Sequence, residues 1–135
     1  MPSNHYLLDT HTLIWFQEDN PKLPESIVDI IQNPDNTILF SQISLFEITI
    51  KQKIGKLPLF LATIEEIYQQ AINDGFLYLN IQNQYIYNYN KIVLFEDHRN
   101  PFDRLLIATA NVEDLTIISS DEKLKLYADV VKVIW

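Results

Sequence analysis

Four acidic residues, widely separated along the chain, lie where predicted strands end or predicted helices begin. Asp9 ends a short apolar strand predicted over residues 5–9, and Glu47, Asp103 and Asp121 each stand near the start of a predicted helix. Carboxylate oxygens are ligands that Mg²⁺ and Mn²⁺ prefer in proteins. A cation bound to them can activate water and stabilise the attacking and leaving oxygens of a displacement at phosphorus. These residues could therefore support metal-dependent hydrolysis of a phosphodiester.

The apolar pattern predicts strands that alternate with helices along the whole chain. Short apolar segments typical of strands occupy residues 5–9, 37–41, 76–81, 115–119 and 130–134. Helices are predicted over residues 10–17, 24–31, 44–54, 63–74 and 82–91, after Asn100, and from Asp121. This alternation indicates βαβ units and a parallel sheet covered by helices on both faces. Because ligands in such sheets bind beyond the carboxyl ends of the strands, we expect the four acids to converge at one edge.

The helix that contains Asp103 has a well-defined predicted start. Asn100 is a suitable N-cap, and Pro101 fits the first helical position. Nearly all the residues from 105 to 112 are apolar, which is typical of a helix buried in the core. Asp103 and Arg104 nevertheless place charge in its first turn. Such charge either caps the helix or belongs to a functional site.

Three of the four acids also have a purely structural interpretation. Ser44 and Glu47 match a capping box, and a lysine four residues further on could form a helical ion pair with Glu47. Asp103 at the third helical position would interact favourably with the helix dipole, and Asp121 could simply start a helix. Asp9 has no obvious partner in the nearby sequence. The four acids together, at corresponding ends of elements, favour a site.

Composition limits the class of protein. With 135 residues and 47% apolar composition, residues 1–135 are expected to form one domain with a substantial core. The chain has no cysteine, no signal peptide pattern and no apolar run of the roughly 20 residues that a membrane span needs, so we expect a soluble, cytoplasmic protein with no membrane partner.

The net charge of −8 counts against a simple basic module for binding nucleic acid. Divalent cations at the four candidate ligands would change this balance. Of the 18 acids, 14 would then remain against 10 bases. An acidic face could alternatively serve a basic protein partner.

Other kinds of site are less well supported. No histidine has the spacing of a helical metal motif such as His-Glu-x-x-His; the three are His5, His11 and His98. With two glycines, the chain lacks the glycine-rich loops that bind nucleotides. Three basic residues near the expected site could bind phosphate or pair with the acids, namely Lys51, Arg99 and Arg104.

Four segments in register together resemble the PIN domain family, and in particular the VapC toxins of prokaryotic type II toxin–antitoxin systems. They are LLDTHTLIW (7–15), SLFEITIK (44–51), HRNPFDRLLIA (98–108) and SSD (119–121). The resemblance covers essentially the whole chain. It implies a three-layer α/β/α sandwich with a central parallel sheet of about five strands. It also implies an Mg²⁺- or Mn²⁺-dependent ribonuclease, a homodimer, and an antitoxin whose C-terminal tail blocks the acidic groove.

Carried over by motif, the metal-binding and catalytic residues are Asp9, Glu47 and Asp103, with Asp121 as the more variable fourth acid. The chain departs from the family pattern at Asn100, where Asp is frequent. Asn retains the capping role and lacks the charge. The hypothesis that follows is a toxin that hydrolyses RNA. The alternatives are a PIN nuclease that processes RNA without an antitoxin, and a catalytically silent PIN fold that serves as a binding module.

Overall fold

The sheet has five strands, all parallel, at the predicted places in the chain. The computed structural model describes residues 4–93, 95–96 and 98–135. The strand order is β3-β2-β1-β4-β5. The strands are β1 (His5–Leu8), β2 (Thr37–Ser41), β3 (Leu77–Leu79), β4 (Thr116–Ile118) and β5 (Lys132–Ile134). The predicted parallel α/β fold is confirmed, with β3, β4 and β5 shorter than the apolar segments that contain them.

Helices connect the strands, as the alternation predicts. They are α1 (Thr10–Gln17), α2 (Glu25–Gln32), α3 (Gln42–Lys53), α4 (Ile64–Asn73), α5 (Asn83–Tyr89) and α6 (Pro101–Glu113). The short helix after β4 (Glu122–Tyr127) is a 3₁₀ helix. Within the described ranges, no helix combines the length and the apolar character needed to cross a bilayer.

Two separate hydrophobic cores cover the two faces of the sheet. Leu8 and Ile118 face a core formed with α1, α2 and α4. Leu7 and Ile117, their neighbours along the strands, face a second core formed with α6 and the 3₁₀ helix. Successive residues of a strand point to opposite faces, so this division follows from the strand geometry. The three-layer α/β/α arrangement is thereby confirmed.

Helix α3 belongs to both cores. Its Leu45 and Ile48 are buried with the first core, and its Ile43 is buried with the second. The helix therefore lies at the boundary between the two layers of helices, at the end of the sheet where β2 stops.

The chain changes direction across the sheet between β1 and β4. From central β1 it proceeds outward to β2 and β3, then returns to the other side of β1 to form β4 and β5. Leu8 is paired with Ile118 in this register, so Asp9 and Ser119 leave the sheet side by side. In open parallel sheets a crevice forms where the strand order reverses, outside the carboxyl ends of the strands. Asp9 lies at this crevice.

The start of α3 differs from the prediction. Ser41, the last residue of β2, is the N-cap and accepts a hydrogen bond from the Ile43 amide at 3.0 Å. The expected capping box of Ser44 and Glu47 is wrong, because the strand passes directly into the helix without a loop. Ser44 is buried within the first turn, and Glu47 lies in the second. A capping box does form in α4, between Thr63 and Glu66.

Candidate metal centre

Asp9 is fixed at the end of β1 by two neighbouring elements. Its Oδ1 accepts a hydrogen bond from the Thr12 amide at 2.8 Å, so Asp9 is the N-cap of α1. Its Oδ2 accepts a short hydrogen bond from the Ser119 hydroxyl at the end of β4. The sequence suggested no partner for Asp9 because Ser119 is 110 residues away in the chain and adjacent only in the folded sheet.

Glu47 is brought to the same edge by α3. Its side chain is 2% exposed, and its Oε2 lies 2.9 Å from Lys51 Nζ, which is the ion pair that the helical spacing predicts. The Thr10 hydroxyl, at the start of α1, donates to Glu47 Oε1 at 2.6 Å and lies 3.1 Å from the Ser44 hydroxyl oxygen. Glu47 is therefore held between α1 and α3 and does not serve as a helix cap.

Asp103 lies at the third position of α6, as predicted. Asn100 Oδ1 accepts hydrogen bonds from the Phe102 amide at 2.9 Å and the Asp103 amide at 3.5 Å. Asn100 therefore performs the capping role that the sequence assigned to it, and Pro101 is the first helical residue. The cap fixes the first turn of α6 and with it the direction of the Asp103 side chain.

Asp121 starts the 3₁₀ helix. Its Oδ1 accepts from the Lys123 amide at 2.9 Å, and its own amide donates to the Ser119 hydroxyl oxygen at 3.0 Å. Since the same Ser119 hydroxyl donates to Asp9, a single serine connects the backbone before the 3₁₀ helix to the carboxylate at the end of β1.

His98 lies with two of these acids, although its spacing matches no histidine metal motif. The ligand atoms of His98, Asp103 and Asp121 all lie within 4.8 Å of one another. His98 Nε2 is 3.2 Å from Asp103 Oδ2, and the ring is 2% exposed. His98 precedes α6 rather than lying within it, so the helical spacing of known histidine metal motifs could not identify it. Its place five residues before a candidate ligand was the available signal.

The electrostatics of the site are those of carboxylates crowded together. Burial raises the pKa of Asp103 to about 6; its hydrogen bond with His98 opposes this shift, and the charges of Glu47 and Asp9 reinforce it. Burial also raises the pKa of Asp9, against the opposing effect of its hydrogen bonds from Ser119 and Thr12. A divalent cation would relieve this repulsion, and the oxygen donors suit Mg²⁺ or Mn²⁺.

The basic residues near the site are engaged with protein atoms. Lys51 pairs with Glu47, Arg99 Nε donates to the Glu96 carbonyl at 3.2 Å, and Arg104 Nη2 donates to the Phe95 carbonyl at 3.0 Å. The geometry thus shows the ion-pair role predicted for Lys51, and shows backbone contacts for the two arginines.

If Asp121 is a metal ligand, its exchange for Asn should weaken Mn²⁺ binding by about tenfold, or about 1.4 kcal/mol, because one partly exposed candidate ligand oxygen loses its charge. Stability should change little, since Asn is an equally good N-cap. Isothermal titration with Mn²⁺ measures the effect. Glu122→Gln, which removes an exposed charge from the next residue, is the matched control. Equal affinities for the two variants would argue against a role for Asp121 in metal binding.

Comparison with known proteins gives one family match and a set of similar folds. A family model for the PIN domain matches residues 6–130. No curated protein sequence matches the chain. The structure of VapBC-1 from nontypeable Haemophilus influenzae is similar, with 17% sequence identity, a TM-score of 0.65 and 96% of both chains covered.

Two further solved structures are similar to the same extent. VapBC2 from Rickettsia felis, bound to a DNA fragment from its promoter, has 16% identity and a TM-score of 0.63, with 96% of this chain and 97% of that chain covered. DNA-bound VapBC from Salmonella typhimurium has 17% identity and a TM-score of 0.66, with 96% of both chains covered. At these identities the likeness concerns the fold.

Proposed function

The chain belongs to the PIN domain family, whose members are typically nucleases that use divalent metal ions, and from this premise we propose that it is a metal-dependent endoribonuclease. We further propose that it is the toxin of a type II toxin–antitoxin module. In this proposal residues 1–135 form a single nuclease domain that hydrolyses phosphodiester bonds of RNA in the cytoplasm.

The observation that carries the proposal is the environment of Asp103. Its carboxyl group is buried beside the charges of Glu47 and Asp9, and its pKa is raised to about 6. The three acids belong to three different elements, and folding brings them together at a cost that a cation would offset. Perturbed carboxyl groups at the strand-order reversal of a parallel sheet are a frequent property of functional sites.

The ligands in this proposal are Asp9, Glu47, Asp103 and Asp121. A bound Mg²⁺ or Mn²⁺ supplies activation of water and stabilisation of charge on the phosphate oxygens. The chain itself orients the ligands. Ser119 and the Thr12 amide fix Asp9, and Thr10 with Lys51 fixes Glu47. Rigid positioning of this kind holds the carboxylates in place before substrate arrives.

The proposed partners are an RNA substrate, an antitoxin protein and a second copy of the chain in a homodimer. The three similar structures described above are of VapBC assemblies, which supports an antitoxin partner. A small adjacent open reading frame, whose product binds this chain and stops cleavage, would distinguish a toxin from a PIN nuclease of RNA processing. A silent binding module would bind partners and cleave no RNA.

Chelation of divalent metal tests the proposal directly. Incubated with total RNA and Mn²⁺, the purified protein should cleave, EDTA should stop cleavage, and excess Mn²⁺ should restore it, because in this proposal the cation activates water and stabilises the charge on the phosphate oxygens. Gel electrophoresis of the RNA follows the reaction. The control variant Asp35→Asn, in an exposed turn, should behave like the wild type. Cleavage that persists in EDTA would contradict a metal-dependent mechanism.

A further inference from the structure

A series of buried polar side chains is connected to the Asp103 carboxylate by short contacts. His98 Nε2 lies 3.2 Å from Asp103 Oδ2, and His98 Nδ1 lies 2.9 Å from the hydroxyl oxygen of Tyr127. Both His98 and Tyr127 are 2% exposed, so water cannot easily replace either contact. The two rings are also in edge contact, with centroids 5.3 Å apart. The imidazole therefore connects a candidate metal ligand to the last turn of the 3₁₀ helix.

Arg104 lies beyond Tyr127, at the far end of this series of polar side chains. Burial by itself lowers the pKa of its guanidinium, but the neighbouring Tyr89 and Tyr127 hydroxyls outweigh burial and raise the pKa above its ordinary value. Its Nη2 also donates to the Phe95 carbonyl. Arg104 follows Asp103 directly in α6. The first turn of this helix therefore contains the residues at both ends of the series, Asp103 and Arg104.

The chemistry of the carboxylate end decides the direction of each hydrogen bond. The Tyr127 hydroxyl can donate to an unprotonated His98 Nδ1 or accept from a protonated one. An ionised carboxylate can only accept, so the hydrogen of a neutral His98 is on Nε2 and points to Asp103. One tautomer satisfies both ends at once. Every donor in the series then points toward the carboxylate.

We propose that His98 is a positioning residue, held in its Nε2–H tautomer by its contacts with Asp103 and Tyr127, that fixes Asp103 for metal binding and is not itself a metal ligand. This inference rests on the proposed function, since it assigns Asp103 to a metal. Hydrogen bonds to ligating carboxylates orient them, and their loss typically costs 10–100-fold in metal affinity.

The tautomer can be measured in the metal-free protein. In ¹⁵N NMR spectra of the imidazole, we expect a protonated Nε2 and a hydrogen-bonded, unprotonated Nδ1. A protonated Nδ1 in neutral His98 would overturn the proposal. This measurement requires neither RNA nor metal, so its result is separable from the success or failure of the nuclease function.

The exchange Tyr127→Phe removes the hydroxyl and keeps the ring that packs on Phe95 and His98. We expect it to weaken Mn²⁺ binding by about tenfold. The matched control is Tyr85→Phe, which removes another buried hydroxyl, hydrogen bonded to Glu113 at 2.5 Å and away from the site. It should leave Mn²⁺ affinity within about twofold. Equal affinities for the two variants in titration calorimetry would overturn the positioning role.

Two further measurements keep the test decisive should Tyr127→Phe be unstable. His98→Gln retains an amide donor at the position of Nε2 and should bind Mn²⁺ more tightly than His98→Leu, whereas a purely space-filling role predicts no such rescue. Electron spin echo spectra of bound Mn²⁺ should show no directly coordinated imidazole nitrogen. Detection of that nitrogen would make His98 a ligand and refute the proposal. Failure of the wild type to bind Mn²⁺ would refute both this role and the nuclease function.

Discussion

Exchange of Asp9 for Asn is expected to lower the rate of RNA cleavage by at least about a hundredfold at saturating Mn²⁺. A bound cation contributes several kcal/mol of charge stabilisation in the transition state, and each 1.36 kcal/mol corresponds to a factor of about ten in rate. Asn cannot supply the negative charge that holds this cation. The fold should persist, because Asn is as good an N-cap as Asp and can still accept from the Thr12 amide.

Initial rates of cleavage for wild type and Asp9→Asn, compared at equal concentrations of folded protein, measure this effect. Asp35→Asn is again the control, since it removes an equal charge from an exposed turn. Circular dichroism establishes that both variants are folded. If Asp9→Asn retained a rate within about twofold of the wild type, Asp9 would have no place among the catalytic ligands.

Stability of the metal-free protein should fall as the pH rises from about 4 to about 6. The folded protein binds the Asp103 proton more tightly than the unfolded chain, because burial raises the pKa of Asp103 from 3.8 to about 6. The stabilisation from this proton is complete below pH 3.8 and is lost as the pH passes through about 6. The raised pKa of Asp9 acts in the same direction.

The variant Asp103→Asn should remove much of this pH dependence. Above the folded pKa it should be more stable than the metal-free wild type by about 1–3 kcal/mol, since a shift of one pKa unit corresponds to about 1.36 kcal/mol. Its amide oxygen can still accept the hydrogen bond from His98. Urea unfolding at about pH 4 and about pH 8 measures the difference. Added Mn²⁺ should stabilise the wild type more than the variant.

One outcome would contradict this prediction. If the difference in unfolding free energy between wild type and Asp103→Asn were the same at both pH values, the Asp103 carboxyl would titrate normally in the folded protein. The crowding of carboxylates would then no longer support a cation site. The control is Asp35→Asn, which changes an exposed side chain in a turn.

Much of the fold was predictable because its determinants are local. The alternation of short apolar segments with helical ones identified all five strands, and the Asn100-Pro101 pair located the start of α6. The four acids could be singled out as candidates because each stands at a boundary between such elements. Asp103 lies near the charges of Asp9 and Glu47 and within 4.8 Å of an Asp121 ligand atom, which agrees with a general property of parallel sheets, that the strands present their carboxyl ends at one edge.

The contacts that organise the site were not predictable because they join distant parts of the chain. Ser119 reaches Asp9 only through the pairing of β1 with β4, and Tyr127 reaches His98 only because the 3₁₀ helix packs against the chain before α6. The Ser44 capping box failed for a related reason. A serine does cap α3, as the local pattern predicts, but that serine is Ser41 at the end of β2.

The position of α3 across both cores makes the site a property of the complete domain. Glu47 belongs to α3, which packs into each core through different side chains. Asp9 extends from β1, which lies between the two cores. Asp103 extends from α6, which lies on one side of the sheet. No short contiguous fragment of the chain could hold Asp9, Glu47 and Asp103 in the arrangement that they have in the folded domain. We therefore expect the proposed metal binding and catalysis only after both layers have assembled, and not in a nascent or partly unfolded chain.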